Sequence, residues 1–481
     1  MGMSMKKSQL VFYNTETKRK EPLILSESKV IRMYTCGPTI YNYVHIGNLR
    51  TFVFEDLLRR SILYFGFPIH QVMNLTDVDD KTIKGALDHK VSLQEFVAPY
   101  KKAFFEDLKT LNIQPVEEYP AATEYISEMT AMIQTLLDKG YAYQGKDASV
   151  YFRIKSFPSY GRLSHLCLDE LEAGGSNRIE CDEYEKDHVA DFVLWKAYDT
   201  TRDGEVFWES PFGRGRPGWH IECSAMARKL LGDTLDIHVG GVDNIFPHHE
   251  NEIAQSECCT GKLFVRHWLH GQHLLVDGKK MSKRLGNFYT LRDLLDRGYQ
   301  GAEIRYLLLQ THYRTQLNFT FQGLEAARHS LRRLADMIVR LTEISHSSIE
   351  DVMTFHEARQ YLDVAKHNFD EALGDDLAIS QALAAVFDLV RDLNSLCDQN
   401  QVSSKEAKEA LALFKQFDQV LGCIPFDQEG EFPEVVMQLL EQRELARKEK
   451  KWALADTHRN AILAHGYIIE DTKVGPKLKK C

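Results

Sequence analysis

The chain has 481 residues, 44% of them apolar and 27% charged, with a formal net charge of −10. That length exceeds one ordinary core and predicts three or four units, with the apolar balance of a soluble globular protein. No run of ~18 apolar residues occurs, and Met1 to Lys7 lacks an apolar signal core, so neither a membrane span nor a signal peptide is expected. Nine cysteines, odd in number and irregularly spaced, do not read as a disulfide scaffold, which points to reduced thiols and a cytoplasmic location.

In chain order, Val30, Ile31, Met33 and Tyr34 form an apolar run closed by Gly37 and Pro38, which predicts a buried strand. After His45, the residues Leu49, Phe52, Val53, Asp56, Leu57 and Arg60 run at helical spacing with an apolar face. A second strand is predicted near Ile69–Met73, and this alternation implies a doubly wound parallel sheet. From 123 to 206 the composition changes to Gly/Ser/Asp clusters (Ala173 to Asn177) and acidic runs (Cys181 to Glu185), read as an insertion between two halves of the sheet domain. The sheet resumes near Asp236–Gly240 and Trp268–Leu275. Further on, Leu331, Leu334, Met337, Ile338 and Leu341 trace one helix face, and Leu383, Val386, Val390 and Leu393 trace another, as in a bundle core. A short segment from Gly422 to Glu431 leads into a basic end: residues 441–481 hold ten Lys/Arg against six Asp/Glu, net +4 on an acidic chain. Such a footprint suits RNA phosphates.

Three groups of residues carry chemistry. Lys280 and Lys283 lie three apart around a hydroxyl, Ser282, between Gly278 and Gly286, so two mobile point charges can follow a phosphate chain. His45 and Asn48 fall at a predicted helix N-terminus, where backbone amides and the dipole favour phosphate. Cys36, Cys223, His248 and Glu252 are chemically credible zinc ligands, although no Cys-x-x-Cys occurs. His248 and Glu252, four apart after Pro247, predict one helix face. His249 reads as a supporting residue, and the Cys258–Cys259 tandem as packing.

The pair Val44-His45-Ile46-Gly47-Asn48 and Lys279-Lys280-Met281-Ser282-Lys283-Arg284 resembles the two nucleotide signatures of class I aminoacyl-tRNA synthetases. The stretches Tyr34 to Thr39, Asn74 to Lys81, Gly215 to Ser224 and Phe246 to Glu252 narrow the resemblance to cysteinyl-tRNA synthetases, from about residue 10 to the C-terminus. The resemblance implies ATP with Mg²⁺ at His45, Asn48, Lys280, Ser282 and Lys283, and one Zn²⁺ held by Cys36, Cys223, His248 and Glu252. It also implies L-cysteine lined by Thr76, Trp219 and Asp243, and tRNA(Cys) as acceptor. For Trp219 the plain alternative is core packing, and for Thr76 a helix cap. Asn48 stands where the first signature usually has histidine, and Arg284 where the second has serine. Asn can still donate to phosphate, and Arg284 adds a charge.

The implied architecture is an α/β, doubly wound, Rossmann-like catalytic domain with an insertion, followed by an α-helical bundle and a small C-terminal domain. Its expected parts are a first catalytic half (1–122), an insertion (123–206), a second half (207–275), a signature-loop and stem-contact region (276–325), a bundle (326–425) and a basic anticodon-recognition module (426–481). A monomer away from any membrane is expected. Two rivals share part of the pattern: a cysteine:amino-sugar ligase of mycothiol synthesis, which needs no RNA-reading end, and a catalytically silent zinc-stabilised RNA-binding paralogue, which would not need both lysines.

Overall fold

A computed structural model of the chain describes residues 10–24, 29–166, 191–346, 356–426, 433–472 and 475–480. The Gly/Ser cluster at 173–177, the acidic run at 181–185, the first seven residues and the second half of the Gly422 to Glu431 segment lie outside the described residues.

Strand β1 (Ile31–Thr35) leads into helix α1 (Ile46–Tyr64), and β2 (Ile69–Met73) returns parallel beside β1. Strands β3 (Leu235–Gly241) and β4 (Val265–Gly271) complete a parallel sheet of order β4-β3-β1-β2. All four strands bury nearly every residue, as parallel strands covered on both faces must. The polar residues in β3 have partners: Asp236 accepts from the Arg32 amide at 2.9 Å, and His238 meets Glu252 at 3.0 Å.

From β1 the chain winds first to β2 on one side, and later enters β3 on the other. The ends of β1 and β3 therefore flank a topological switch point, where open α/β sheets leave a crevice. Cys36 follows β1 directly, and Asp243 follows β3 in the turn Val242–Asn244.

Helix α1 is buried on more than the one apolar face that its spacing predicts. Fourteen of its 19 residues are buried, because it is covered by the sheet on one side and by Gly301–Leu309 and Ser404–Leu421 on others. Its buried charges are all the more costly, and Asp56, Arg59 and Arg60 are each ion-paired.

Between β2 and β3 lie the helices Asp80–His89 and Leu93–Thr110, then an antiparallel sheet of Ala142–Gln144, Val150–Phe152, Phe192–Ala197 and Gly215–Pro217. This sheet reaches past the expected boundary at 206 and hands the chain directly to helix α2 (Trp219–Leu231). Helix α3 (Glu250–Thr260) follows β3. The run expected to continue to Leu275 breaks at Gln272–His273. A small second sheet then begins, with β5 (Leu274–Val276) pairing antiparallel with β6 (Lys279–Lys280) and parallel with β7 (Leu317–Phe319).

Helices Phe321–Ser345, His356–Gly374, Ile379–Asp398 and Ser404–Leu421 form the bundle. Leu331, Leu334, Met337, Ile338 and Leu341 are buried, as are Leu383, Val386, Val390 and Leu393. The chain divides into two compact units, 1–424 and 425–481. The second has its own small core of Val436, Ile462 and Ile469, under helices Glu434–Lys448 and Trp452–Ala464 and the hairpin Tyr467–Thr472/Gly475–Lys480. No helix among the described residues is long and apolar enough to cross a membrane.

Candidate active site

His45 is the N-cap of α1, and it forms a reciprocal capping box with Asn48. The Asn48 amide donates to His45 Nδ1 at 3.1 Å, and Asn48 Oδ1 accepts from the His45 amide at 3.3 Å. With Nδ1 accepting, the neutral ring carries its proton on Nε2, a donor. With Oδ1 occupied, Asn48 keeps its NH₂ as donor. Asn48 thus completes the capping box and presents its NH₂ at the same helix end.

The lysine loop leaves β6 at Lys280 and forms a short turn at Lys283–Leu285. Asn287 staples it: its Oδ1 accepts from the Ser282 amide at 2.8 Å, and its Nδ2 donates to Lys280 O at 3.3 Å. Ser282 Oγ accepts from the Arg284 amide at 3.3 Å. The loop then returns to α1, where the Ile46 amide donates to Tyr289 O at 2.9 Å and the Phe288 ring stands edge-on to His45. Lys280 and Arg284 are exposed; the Lys283 side chain lies outside the described part.

One cleft of about 300 Å³ at the switch point is lined by Cys36, Cys223 and His248, by Thr76, Trp219 and Asp243, and by His45 and Asn48. Glu252 is fully buried beneath it. The structure therefore brings all of these side chains to one place, while Lys280 and Ser282 stand outside the cleft lining.

Within the thiol and imidazole group, His248 Nε2 lies 3.0 Å from Glu252 Oε1. Cys223 hydrogen-bonds to both Cys36 and His248. Burial pushes the Cys36 thiol up, whereas the hydrogen bond from Cys36 pulls Cys223 down to about 6, so the pair holds one thiolate at neutral pH. Burial opposes charge on His248, but Glu252 and Cys223 outweigh it and raise the ring to about 10. Burial likewise opposes charge on Glu252, and His238 and His248 bring it down to about 2.

A second layer of histidines fixes these groups, and the sequence reading did not single it out. His238 holds Glu252 from behind at 3.0 Å and stacks on Trp268. His220 Nδ1 lies 2.9 Å from His248 Nδ1; burial keeps His220 neutral, so it accepts, and His248 Nε2 faces the cluster. His249, read as a supporting residue, sits closer than that: its Nε2 is 3.2 Å from Cys36 Sγ, while its Nδ1 is held 2.8 Å from His270 Nε2. The ligand atoms of Cys36, His248, His249 and Glu252 all lie within 4.8 Å of one another. Burial keeps His249 and His270 neutral. Nothing in residue spacing marks His220, His238 and His270, because they come from three separate elements.

The ligand atoms that lie within 4.8 Å of one another are a thiol, two imidazoles and a carboxylate (Cys36, His248, His249 and Glu252), with Cys223 joined to them by hydrogen bonds to Cys36 and His248. Such donors suit a soft divalent metal, and Glu252 Oε1 makes no hydrogen bond of good geometry.

Neither plain alternative for the pocket residues describes this geometry. Thr76 is not a cap, since Asp79 caps Asp80–His89; its hydroxyl takes a bond from Asn74 Nδ2 at 3.2 Å and another with buried Glu222. Trp219 is 43% exposed, with its ring 4.3 Å from that of His248. It is therefore a wall of the cleft and not part of the core.

The parallel sheet thus sets a crevice at its switch point, a capped histidine at the first helix and a stapled lysine loop beyond the last strand. Residues 23–329 match the class I (C) tRNA synthetase catalytic domain family, and residues 368–425 match the DALR domain. Methionyl-tRNA synthetase of Mycobacterium tuberculosis, solved with methionyl-adenylate, shares the fold at TM-score 0.61 and 14% identity, covering 88% of this chain and 96% of that one. A leucyl enzyme (LeuRS) of Agrobacterium radiobacter, solved with tRNA, gives TM-score 0.60 at 13% identity over 83% and 84%. Among curated proteins, the cysteine–tRNA ligase of Protochlamydia amoebophila is 58% identical over 99% of both chains. That of Chlamydia felis is 54% identical over 100% of both. The chain belongs to the cysteine–tRNA ligase family, a family of enzymes.

Proposed function

We propose that the protein activates L-cysteine with ATP and transfers it to the 3′-terminal ribose of tRNA(Cys). The observation that carries this reading is the single cleft in which Cys36, Cys223 and His248 stand beside His45 and Asn48. Thiol-selective donors there adjoin phosphate-seeking ones.

In the first step the substrate carboxylate attacks the α-phosphorus of ATP, the bond to the bridging oxygen of pyrophosphate breaks, and cysteinyl-adenylate forms. His45 Nε2–H and the Asn48 amide donate to phosphate oxygens. Lys280 and Lys283 follow the charge that develops on the leaving pyrophosphate, Ser282 orders their loop, and Mg²⁺ accompanies ATP. Asp243, exposed at the rim, and Thr76 receive the substrate ammonium, and Trp219 covers the side chain. In the second step the 2′-hydroxyl of the terminal ribose attacks the adenylate carbonyl and AMP leaves.

Cys36, Cys223, His248 and Glu252 would hold one zinc ion, with His249 standing behind Cys36. A bound zinc supplies a soft acceptor for the substrate sulfur, which serine's harder hydroxyl does not satisfy. Shape alone separates such similar side chains by only about 1–3 kcal/mol. The protein's own part is to keep the donors oriented and dry: His220 fixes the His248 ring, His238 fixes Glu252, and Trp219 limits water. All the proposed site residues lie on one chain, which supports a monomer as the working form. The described cysteines are all free, as in the reducing cytoplasm.

The test is cysteine-dependent ATP–pyrophosphate exchange, with serine compared and zinc measured on the same preparation. Expected is exchange with cysteine, at most trace exchange with serine, and one zinc per chain. Exchange that is absent, or equal for both amino acids, overturns the reading. Charging of an amino-sugar in place of tRNA would favour the mycothiol-type ligase.

A further inference from the structure

Arg50 lies on α1 four residues after Ile46, and it is 4% exposed. Its guanidinium makes no ion pair among the described residues; its partners are backbone carbonyls from two separate turns. Nη1 donates to Gln272 O at 2.8 Å and to His273 O at 2.7 Å, and Nη2 donates to Thr315 O and reaches His312 O at 3.4 Å. A buried cation with no counter-charge is costly, and an apolar side chain would fill the same space without that cost.

The position of those carbonyls gives the cation its purpose. Gln272 and His273 are the two residues between β4 and β5, the point where the chain leaves the main sheet for the hairpin that carries Lys280. His312 and Thr315 lie in the turn that delivers β7, the other neighbour of β5. The Gln272 amide joins the two turns by donating to Tyr313 O at 2.7 Å. Beside this junction Phe54, one helical turn beyond Arg50, stacks on Tyr313 at 4.3 Å. At its far end the lysine loop returns to the N-terminus of the same helix, at Ile46. Both ends of the loop are thus fixed to α1, which also presents His45 and Asn48.

We infer that Arg50 is a positioning residue for adenylate formation: by gathering the carbonyls at the root of the β5–β6 hairpin, it sets the lysine loop in register with His45 and Asn48 across the ATP phosphates. The inference rests on the proposed function. Arginine suits the task because its planar fork serves several fixed acceptors at once, whereas lysine offers one point charge. An error of about 1 Å in such a register lowers the rate about 100-fold with no contact to substrate lost.

The full-length Arg50→Ala and Arg50→Lys variants test this by ATP–pyrophosphate exchange, with and without millimolar guanidinium ion. Expected for Arg50→Ala is a kcat about 100-fold lower, a KM for cysteine unchanged within about twofold, and recovery of about tenfold or more when guanidinium refills the site. Arg50→Lys is expected to keep the fold and still lose kcat by about tenfold, without guanidinium rescue. A kcat in Arg50→Lys equal to wild type overturns the inference. So does an Arg50→Ala protein that folds, loses activity and gains none from guanidinium. If Arg50→Ala fails to fold, the Arg50→Lys result decides alone. Wild-type protein without exchange would instead overturn the functional reading.

Discussion

Cys223 has 1% exposure on α2 and hydrogen-bonds to both Cys36 and His248, so it supports two of the other three proposed ligands. Replacing it by serine keeps the shape and removes the soft donor. The expected outcome is that zinc content and cysteine activation fall together, as read by metal analysis and pyrophosphate exchange; full activity with metal retained would remove Cys223 from the ligand set. Lys280 is exposed, yet its backbone is stapled by Asn287. A charge donor of this type contributes about 10²–10³-fold to a reaction in which charge develops. Lys280→Ala should lower the adenylation rate by that order and leave cysteine affinity unchanged, as measured by single-turnover kinetics. Of these side-chain arrangements, the placement of His45 and Asn48 at a helix N-terminus was readable from the sequence, because that signal is local, whereas their reciprocal cap was not. The histidine layer was not, since His220, His238 and His270 meet only after the sheet has closed. Trp219, expected to line the substrate pocket with core packing as the alternative, is a cleft wall through the placement of α2.

The helix α1 illustrates what an element conceals. Its periodicity reads as a helix with one apolar face, in a run that includes Asp56 and Arg60. In the fold, Asp56 accepts from Arg60 Nε at 2.7 Å and from the Gln114 amide at 2.9 Å, and lies 2.6 Å from Arg305 Nη2. Arg305 also donates to Leu421 O at 2.6 Å and to Leu111 O at 3.0 Å, so one carboxylate joins α1 to Gly301–Leu309 and to the end of Ser404–Leu421. Removing it by Asp56→Ala leaves two buried guanidiniums and should cost about 3–5 kcal/mol, read by denaturant unfolding. A loss under about 1 kcal/mol would mean that water reaches the arginines. In the C-terminal unit, Arg443 forks onto Asp471 at 2.7 and 2.8 Å, tying helix Glu434–Lys448 to the hairpin. Hydrogen bonds from Arg443 and Arg447 hold the Asp471 carboxyl below its usual range. A depressed carboxylate stabilises above its unfolded pKa of about 3.9, and that contribution is lost as pH falls through the folded value. Asp471 is 48% exposed, so the pair contributes less than about 1 kcal/mol. Asp471→Asn should lower the melting temperature at pH 7, and the gap from wild type should close on acidification below about pH 4; a gap independent of pH would refute the charge argument.

For the whole molecule, the division at Ile424 and Pro425 separates the unit that holds every proposed ATP and cysteine residue from a small unit with its own core. Deleting residues 425–481 should leave pyrophosphate exchange within about twofold and reduce tRNA charging by at least about tenfold, because the lost contacts would act on the acceptor and not on the chemistry. Equal losses in both assays would make the second unit a structural support. The net charge of −10 belongs to the chain as a whole; the end from 441 to 481 carries net +4, where RNA phosphate would be met.

By itself the sequence indicated the strands at Ile31–Thr35 and Ile69–Met73, the bundle faces and the helix end at His45, each from periodicity over neighbouring positions. The phosphate and metal residues it offered only as candidates, the metal set chiefly through the family resemblance. Only the tertiary structure decided that Cys36, Cys223 and His248 line one cleft with His45, with Glu252 buried beneath it and a layer of histidines behind. It alone placed Arg50 across the root of the lysine hairpin. These contacts join segments as much as 265 residues apart. A buried charge can be recognised as purposeful only once its partners are brought to it.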